Sequence, residues 1–184
     1  MTTDGTTHPT GATPGAPPAP GDRPTRVLFV CWGNICRSPT AEGIMRWVVE
    51  AAGESGRVEV DSAGTSDEHA GSPPDRRATA EAAARGIDLR SLRARRVRPD
   101  DWDRFDYLLA ADDQVERRLL RAARDDADRA KVHRMTAFGP DADTTPDVPD
   151  PYYGGPDGFV HVYELLDRAC LGLLDHIRAT RPTA

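Results

Sequence analysis

The stretch V-L-F-V-C-W-G-N-I-C-R-S-P, residues 27–39, decides the fold. Residues 26–30 form a short apolar, β-branched run, which predicts a parallel strand buried on both faces. Gly33 and Asn34 then allow a tight loop, because both residue types tolerate positive φ. Ser38 followed by Pro39 predicts a helix start with Ser as N-cap and Pro at N1. Strand, loop and helix thus follow without a gap. Cys31 falls at the strand's carboxyl end, where open α/β sheets place their ligands.

Such a loop is a candidate anion cradle. Its backbone N–H groups and the helix N-terminus converge on one spot, and Arg37 can clamp two oxygens of a tetrahedral anion there. The same field favours a thiolate at Cys31 and makes it a candidate nucleophile at neutral pH. The spacing Cys-x5-Arg is weak by itself: Lys131 is the sole Lys, so 23 of the 24 basic residues are Arg. Three Cys among that many Arg give roughly 0.4 chance matches. Context raises the odds.

With three more residues the stretch reads V-L-F-V-C-W-G-N-I-C-R-S-P-T-A-E. In this form it resembles the active-site signature of the low-molecular-weight protein tyrosine phosphatases. A second motif, D-P-Y-Y-G-G at residues 150–155, resembles the general-acid loop of the same family and stands before the last helix, as it does there. The resemblance spans residues 26–177 and implies an α/β, doubly wound, four-stranded parallel sheet flanked by helices, with the phosphate-binding loop after the first strand. It implies Cys31 as nucleophile, Arg37 as phosphate clamp and Asp150 as general acid and base. It also implies Trp32, Gly33, Asn34, Ile35, Cys36, Ser38, Tyr152 and Tyr153 as the substrate-binding set, and Asn34, Ser38 and Ser62 as loop support. The substrate expected is a phosphotyrosine protein, hydrolysed through a phosphocysteine intermediate.

The rest of the chain fits that reading. Residues 1–24 are Thr, Gly, Ala and Pro with almost no large apolar side chain, which predicts a disordered tail ahead of one domain over 25–180. No secretory signal or membrane-length apolar run is present. A net charge of −6 argues against nucleic acid or anionic membrane as the main partner. Three Cys, two in one loop, suit a reducing, cytoplasmic setting rather than a disulfide scaffold. A monomer is expected.

Helical spacing predicts helices over residues 41–52 (stopped by Gly53), 75–86 (capped by Asp75, stopped by Gly86), 112–123 and 157–180. Strands are expected at 57–61, within 102–111 and at 131–135, with Ser62-Ala63-Gly64 as a strand-ending turn. R-S-L-R-A-R-R-V-R at 90–98 reads as a solvated face beside a strand, with docking of an acidic partner as the alternative. Cys170 reads as core. Cys36 is either a small buried hydrophobe or a thiol that could pair with Cys31.

Two positions depart from the family pattern. Glu68 stands where relatives commonly carry Trp or Tyr, making that wall less aromatic and disfavouring an acidic peptide there, and His69 is expected at the surface, a wall role being the alternative. Leu92 stands where many relatives have a loop-supporting histidine, so the network should be smaller or rewired. No metal or cofactor is expected: the five His form no ligand cluster. Competing readings are a non-catalytic phosphotyrosine-binding module, a thioredoxin-coupled arsenate reductase, which needs a further close Cys pair, and a docking adaptor working through the Pro-rich tail. A protein-arginine phosphatase typically carries Thr where Ile35 stands.

Overall fold

The structure is a computed structural model and describes residues 23–181; all but the last two residues of the expected tail lie outside that range. In chain order the elements are β1 (Thr25–Cys31), α1 (Arg37–Ala51), β2 (Val58–Gly64), α2 (Arg76–Ala84), α3 (Asp101–Arg104), β3 (Tyr107–Ala110), α4 (Asp113–Ala122), α5 (Asp126–Arg129), β4 (Val132–Arg134) and α6 (Pro156–Thr180). The four strands form one parallel sheet in the order β2-β1-β3-β4. The chain leaves β1 to one side for β2 and returns to its other side for β3, so the sheet reverses direction beside β1. That reversal opens a crevice at the strands' carboxyl ends.

β1 is apolar from Val27 onward because helices cover both of its faces. Val27, Phe29 and Cys31 join the cluster packed under α1 and α6, which includes Ile44, Met45, Leu166 and Leu173. Leu28 and Val30 point the other way, to Trp102, Phe105, Leu108, Val115 and Leu119. Successive strand residues alternate faces, so two cores replace the one that an alternating strand would bury. Truncating Phe29, fully enclosed, to Ala would cost about 3–5 kcal/mol.

Most expected helix signals operate. The Asp75 side chain accepts from Arg77 N and caps α2, the Asp112 side chain accepts from Val115 N and caps α4, and Gly53 (φ 71°) and Gly86 (φ 81°) stop α1 and α2 in the left-handed region. Three local expectations are corrected. α1 begins at Arg37 with Cys36 in the N-cap position and no side-chain cap, so Ser38 lies inside the first turn, its hydroxyl engaged elsewhere. β2 runs on through Ser62, Ala63 and Gly64 rather than ending before them. Gly64 is needed there because a Cβ would sit 2.6 Å from the Trp32 carbonyl oxygen. The 90–98 arginine run is only partly solvated: Arg96 bridges to Gly64 beside β2, and the half-buried Arg95 pairs with Asp61 and Asp101, each at 2.9 Å. Among the described residues no helix is long and apolar enough to cross a membrane.

Candidate active site

β1 delivers Cys31 to the crevice floor with 3 % of its surface exposed. Its Sγ accepts from the Asn34 backbone N–H at 3.3 Å and lies 3.0 Å from Ser38 Oγ. The loop can fold back this tightly because Asn34 adopts φ 56°, the left-handed region that Asn tolerates better than most residues. Its buried side chain then braces the loop in three directions. Nδ2 donates to Ser38 Oγ at 2.9 Å and to Ser62 Oγ at 2.8 Å, and Oδ1 accepts from Arg95 N at 2.9 Å.

Proton counting fixes what each hydroxyl does. Ser62 Oγ accepts from Asn34 and donates to Glu42 Oε2 at 2.5 Å. Ser38 Oγ accepts from Asn34, so its single proton goes either to the Ala63 carbonyl at 3.3 Å or to Cys31 Sγ. A thiolate would draw it to sulfur. Glu42, buried in α1 and paired with Arg46 at 2.5 Å, closes the network. Burial pushes its carboxyl upward, and the Ser62 hydrogen bond and Arg46 pull the other way without cancelling it.

Arg37 leaves the first turn of α1 with 4 % exposure. Its Nη1 donates to Asp112 Oδ2 at 2.6 Å and to the Val148 carbonyl at 3.1 Å, and its Nη2 donates to Asp150 Oδ2 at 3.2 Å. Burial alone would lower its pKa, but the negative charge of Cys31, Asp150 and Asp112 around it outweighs burial and holds it above the ordinary value. Asp112 thus serves twice, one oxygen capping α4 and the other fixing the guanidinium.

Cys31, Arg37, Asp112 and Asp150 line a cleft of about 550 Å³. Its walls carry Trp32, Ile35, Tyr152 and Tyr153, and also Glu68 and His69. His69 is not the plain surface residue expected: it packs over Gly33, where a Cβ would meet its ring at 2.7 Å, and it faces Tyr152 with ring centroids 6.5 Å apart. Tyr152 and Tyr153 meet edge to face at 5.0 Å, with Tyr153 almost wholly exposed. Arg77 holds this segment from below, donating to the Tyr152 and Gly154 carbonyls at 3.0 and 3.3 Å.

Of the residues expected to touch substrate, Asn34 and Ser38 lie outside the cleft lining; their side chains face the network beneath it. Cys36 lines the cleft but is buried against Ala78, Phe159 and Ile35, and burial pushes its thiol strongly upward. Cys170 is core, as expected. Leu92 packs against the main core, and the Asn34 acceptor takes the Arg95 N–H. Sequence reasoning missed Glu42, Arg95, Asp112 and Arg77. Glu42 sat in the quoted signature, and Asp112 carried a readable N-cap signal, but their contacts are made across the fold. Among the described residues no group of three or more His, Cys, Asp or Glu is placed to hold a metal.

Residues 26–183 match the family model for low molecular weight phosphotyrosine protein phosphatase. The chain belongs to that family. It is 44 % identical to a low molecular weight protein-tyrosine-phosphatase of Streptomyces coelicolor, over 83 % of this chain and 93 % of the relative. The solved protein tyrosine phosphatase from Entamoeba histolytica superposes with TM-score 0.81 at 35 % identity, covering 86 % of this chain and 99 % of that one. YfkJ from Bacillus subtilis superposes at 0.79 with 35 % identity, covering 86 % and 98 %. The chain is therefore a phosphatase of the phosphotyrosine class, with the parallel four-stranded sheet of its relatives.

Proposed function

We propose that this chain hydrolyses phosphotyrosine in proteins with Cys31 as nucleophile, Arg37 as phosphate clamp and Asp150 as general acid and base. The observation that carries the assignment is Arg37: one buried guanidinium, within the field of Cys31, spans from Asp112 and Val148 to Asp150. Nucleophile, clamp and acid therefore meet at one floor. Trp32, Gly33, Ile35 and Cys36 surround the phosphate and its ring, and Tyr152 and Tyr153 flank the ring. Asn34, Ser38 and Ser62 hold the loop that presents Cys31.

On arrival the phosphate takes the Nη2 of Arg37 in place of Asp150, while Nη1 stays fixed on Asp112. The freed carboxylate takes up a proton from solvent and turns to the ester oxygen. Cys31 sulfur bonds to phosphorus as the phosphorus–oxygen bond breaks, and the Asp150 proton goes to the departing phenolate. Loop N–H groups and Arg37 stabilise the equatorial oxygens meanwhile. Water then attacks the phosphocysteine, gives a proton to Asp150 and releases inorganic phosphate, restoring the thiolate. A nucleophile of this kind needs a reduced thiol, which fits a cytoplasmic enzyme; the working unit is a monomer with its domain over 25–180.

The test is hydrolysis of p-nitrophenyl phosphate and a phosphotyrosine peptide, against a phosphoserine peptide and phosphoarginine, with a metal chelator present. Wild type should turn over the two aryl esters, Cys31→Ser should not, and Asp150→Ala should fall by about 10²–10⁴-fold in kcat. An inert reduced wild type that still binds the phosphotyrosine peptide would make the chain a binding module.

A further inference from the structure

A second cleft, about 830 Å³ in volume, lies against the first. Its lining includes Thr65, Arg96, Arg98, Trp102, Arg118 and Arg124. The two clefts share a wall: the Arg118 guanidinium stacks 4.2 Å from the centre of the Trp32 ring, and Trp32 lines the cleft that holds Cys31. Whatever fills the second cleft is therefore a neighbour of a group bound at Cys31.

The charge of this cleft is poorly compensated. Arg124 is committed to Asp103 at 2.7 Å and Asp128 at 2.6 Å, and Arg95 to Asp61 and Asp101. Arg96 reaches only a loose contact with Asp67 at 4.0 Å. Arg98 and Arg118 have no carboxylate within ion-pair distance among the described residues. In a chain of net charge −6, three under-neutralised arginines around one concavity form a local positive field. The opposite sign stands in the first cleft, where Glu68 replaces an aromatic wall.

We propose that this arginine cleft receives acidic side chains of the phosphoprotein substrate a few residues from its phosphotyrosine, making Arg96, Arg98 and Arg118 specificity determinants. This rests on the phosphatase reading of the Cys31 cleft. The substrate segment is thereby polarised: its acidic flank runs past Trp32 onto Arg118 and Arg98, and its other flank passes Glu68. The sequence pattern R-A-R-R-V-R at 93–98 then has a use that its role beside β2 does not exhaust. Rim arginines of this kind act on encounter and selection more than on chemistry.

The experiment compares three phosphotyrosine peptides, one with Asp and Glu on the N-terminal side, one with them on the C-terminal side, and one neutral. Each is assayed with wild type and with the Arg96→Gln/Arg98→Gln double variant at low and high salt. One of the acidic peptides should exceed the neutral one by roughly fivefold to tenfold in kcat/KM, and the preference should shrink towards unity in the double variant and in high salt. p-Nitrophenyl phosphate, which cannot reach the second cleft, should be hydrolysed equally by both proteins. Equal kcat/KM for all three peptides with that control intact would overturn the proposal, as would an acid preference that survives in the double variant. Peptide affinities measured on Cys31→Ser separate the two readings. An inert wild type whose Cys31→Ser form still favours an acidic peptide would sink the enzyme reading alone, and equal affinities there would sink the cleft.

Discussion

The two halves of the active site are built in opposite ways. The loop from Cys31 to Ser38 is largely buried, and its polar side chains other than Arg37 are bonded to one another or to Ser62, Arg95 and the Ala63 carbonyl. The segment from Asp150 to Gly155 is half open: Asp150 has 45 % of its side chain exposed, Tyr153 is nearly bare, and the segment hangs on Arg37 and Arg77. The difference follows the chemistry. A nucleophile and its oxyanion donors gain from being fixed before substrate arrives, whereas Asp150, in the role proposed for it, has to turn from Arg37 to the leaving oxygen and then to water.

If that contrast is right, Asn34→Ala breaks the rigid half. It removes the brace of Ser38 and Ser62, orphans the Arg95 N–H and leaves a non-glycine residue at φ 56°. The expected loss is about 2–4 kcal/mol of stability. With Cys31 no longer held, kcat should also fall by roughly 10²-fold. Urea unfolding and aryl phosphate kinetics on the same preparation read both, and a variant of near wild-type stability and rate would mean the loop is held by its backbone alone.

Arg77→Ala loosens the other half only. Its guanidinium carries the Tyr152 and Gly154 carbonyls and packs over Phe159 at 4.5 Å. A drop of roughly tenfold in kcat is expected, largest for esters with poor leaving groups that most need the Asp150 proton, with little loss of stability. A uniform loss across leaving groups would place the effect elsewhere.

The smallest effect sharpens the comparison from beneath the rigid loop. Burial raises the folded-state pKa of Glu42 above its ordinary 4.5. Its contribution to stability is therefore full below that value and declines as pH rises through the folded pKa. Glu42→Gln removes this slope. Unfolding free energies at about pH 4 and about pH 7 should show the variant gaining on wild type as pH rises, and a pH-independent difference between the two proteins would contradict the burial argument.

How far the sequence could be read follows the same division. Residues 27–39 were legible because strand, loop and helix are contiguous, so their chemistry is local. The helix start was misplaced there for one reason: Ser-Pro is an N-cap signal in isolation, but contacts within the loop, to Asn34 and Cys31, claim the Ser38 hydroxyl. Asp150 was legible from its order along the chain. What joins it to the loop was not, since Arg37 to Asp150 and Arg37 to Asp112 cross 113 and 75 positions, and no local pattern encodes a partner at that range. The 90–98 run misled because an arginine's burial depends on carboxylates such as Asp61 and Asp101 that only the fold brings near.

The packing of α6 against α1 also sets when the enzyme can begin to work. A ribosome makes the Cys31 loop early, and strand and helix on either side can pair as soon as β2 and β3 follow. Yet Asp150, the Val148 carbonyl that anchors Arg37 and the α6 face that covers α1 all come from the final stretch of the described chain. On the roles proposed above, Cys31 is therefore made well before its acid and a settled clamp, and phosphatase activity switches on only when α6 is made and docks on α1.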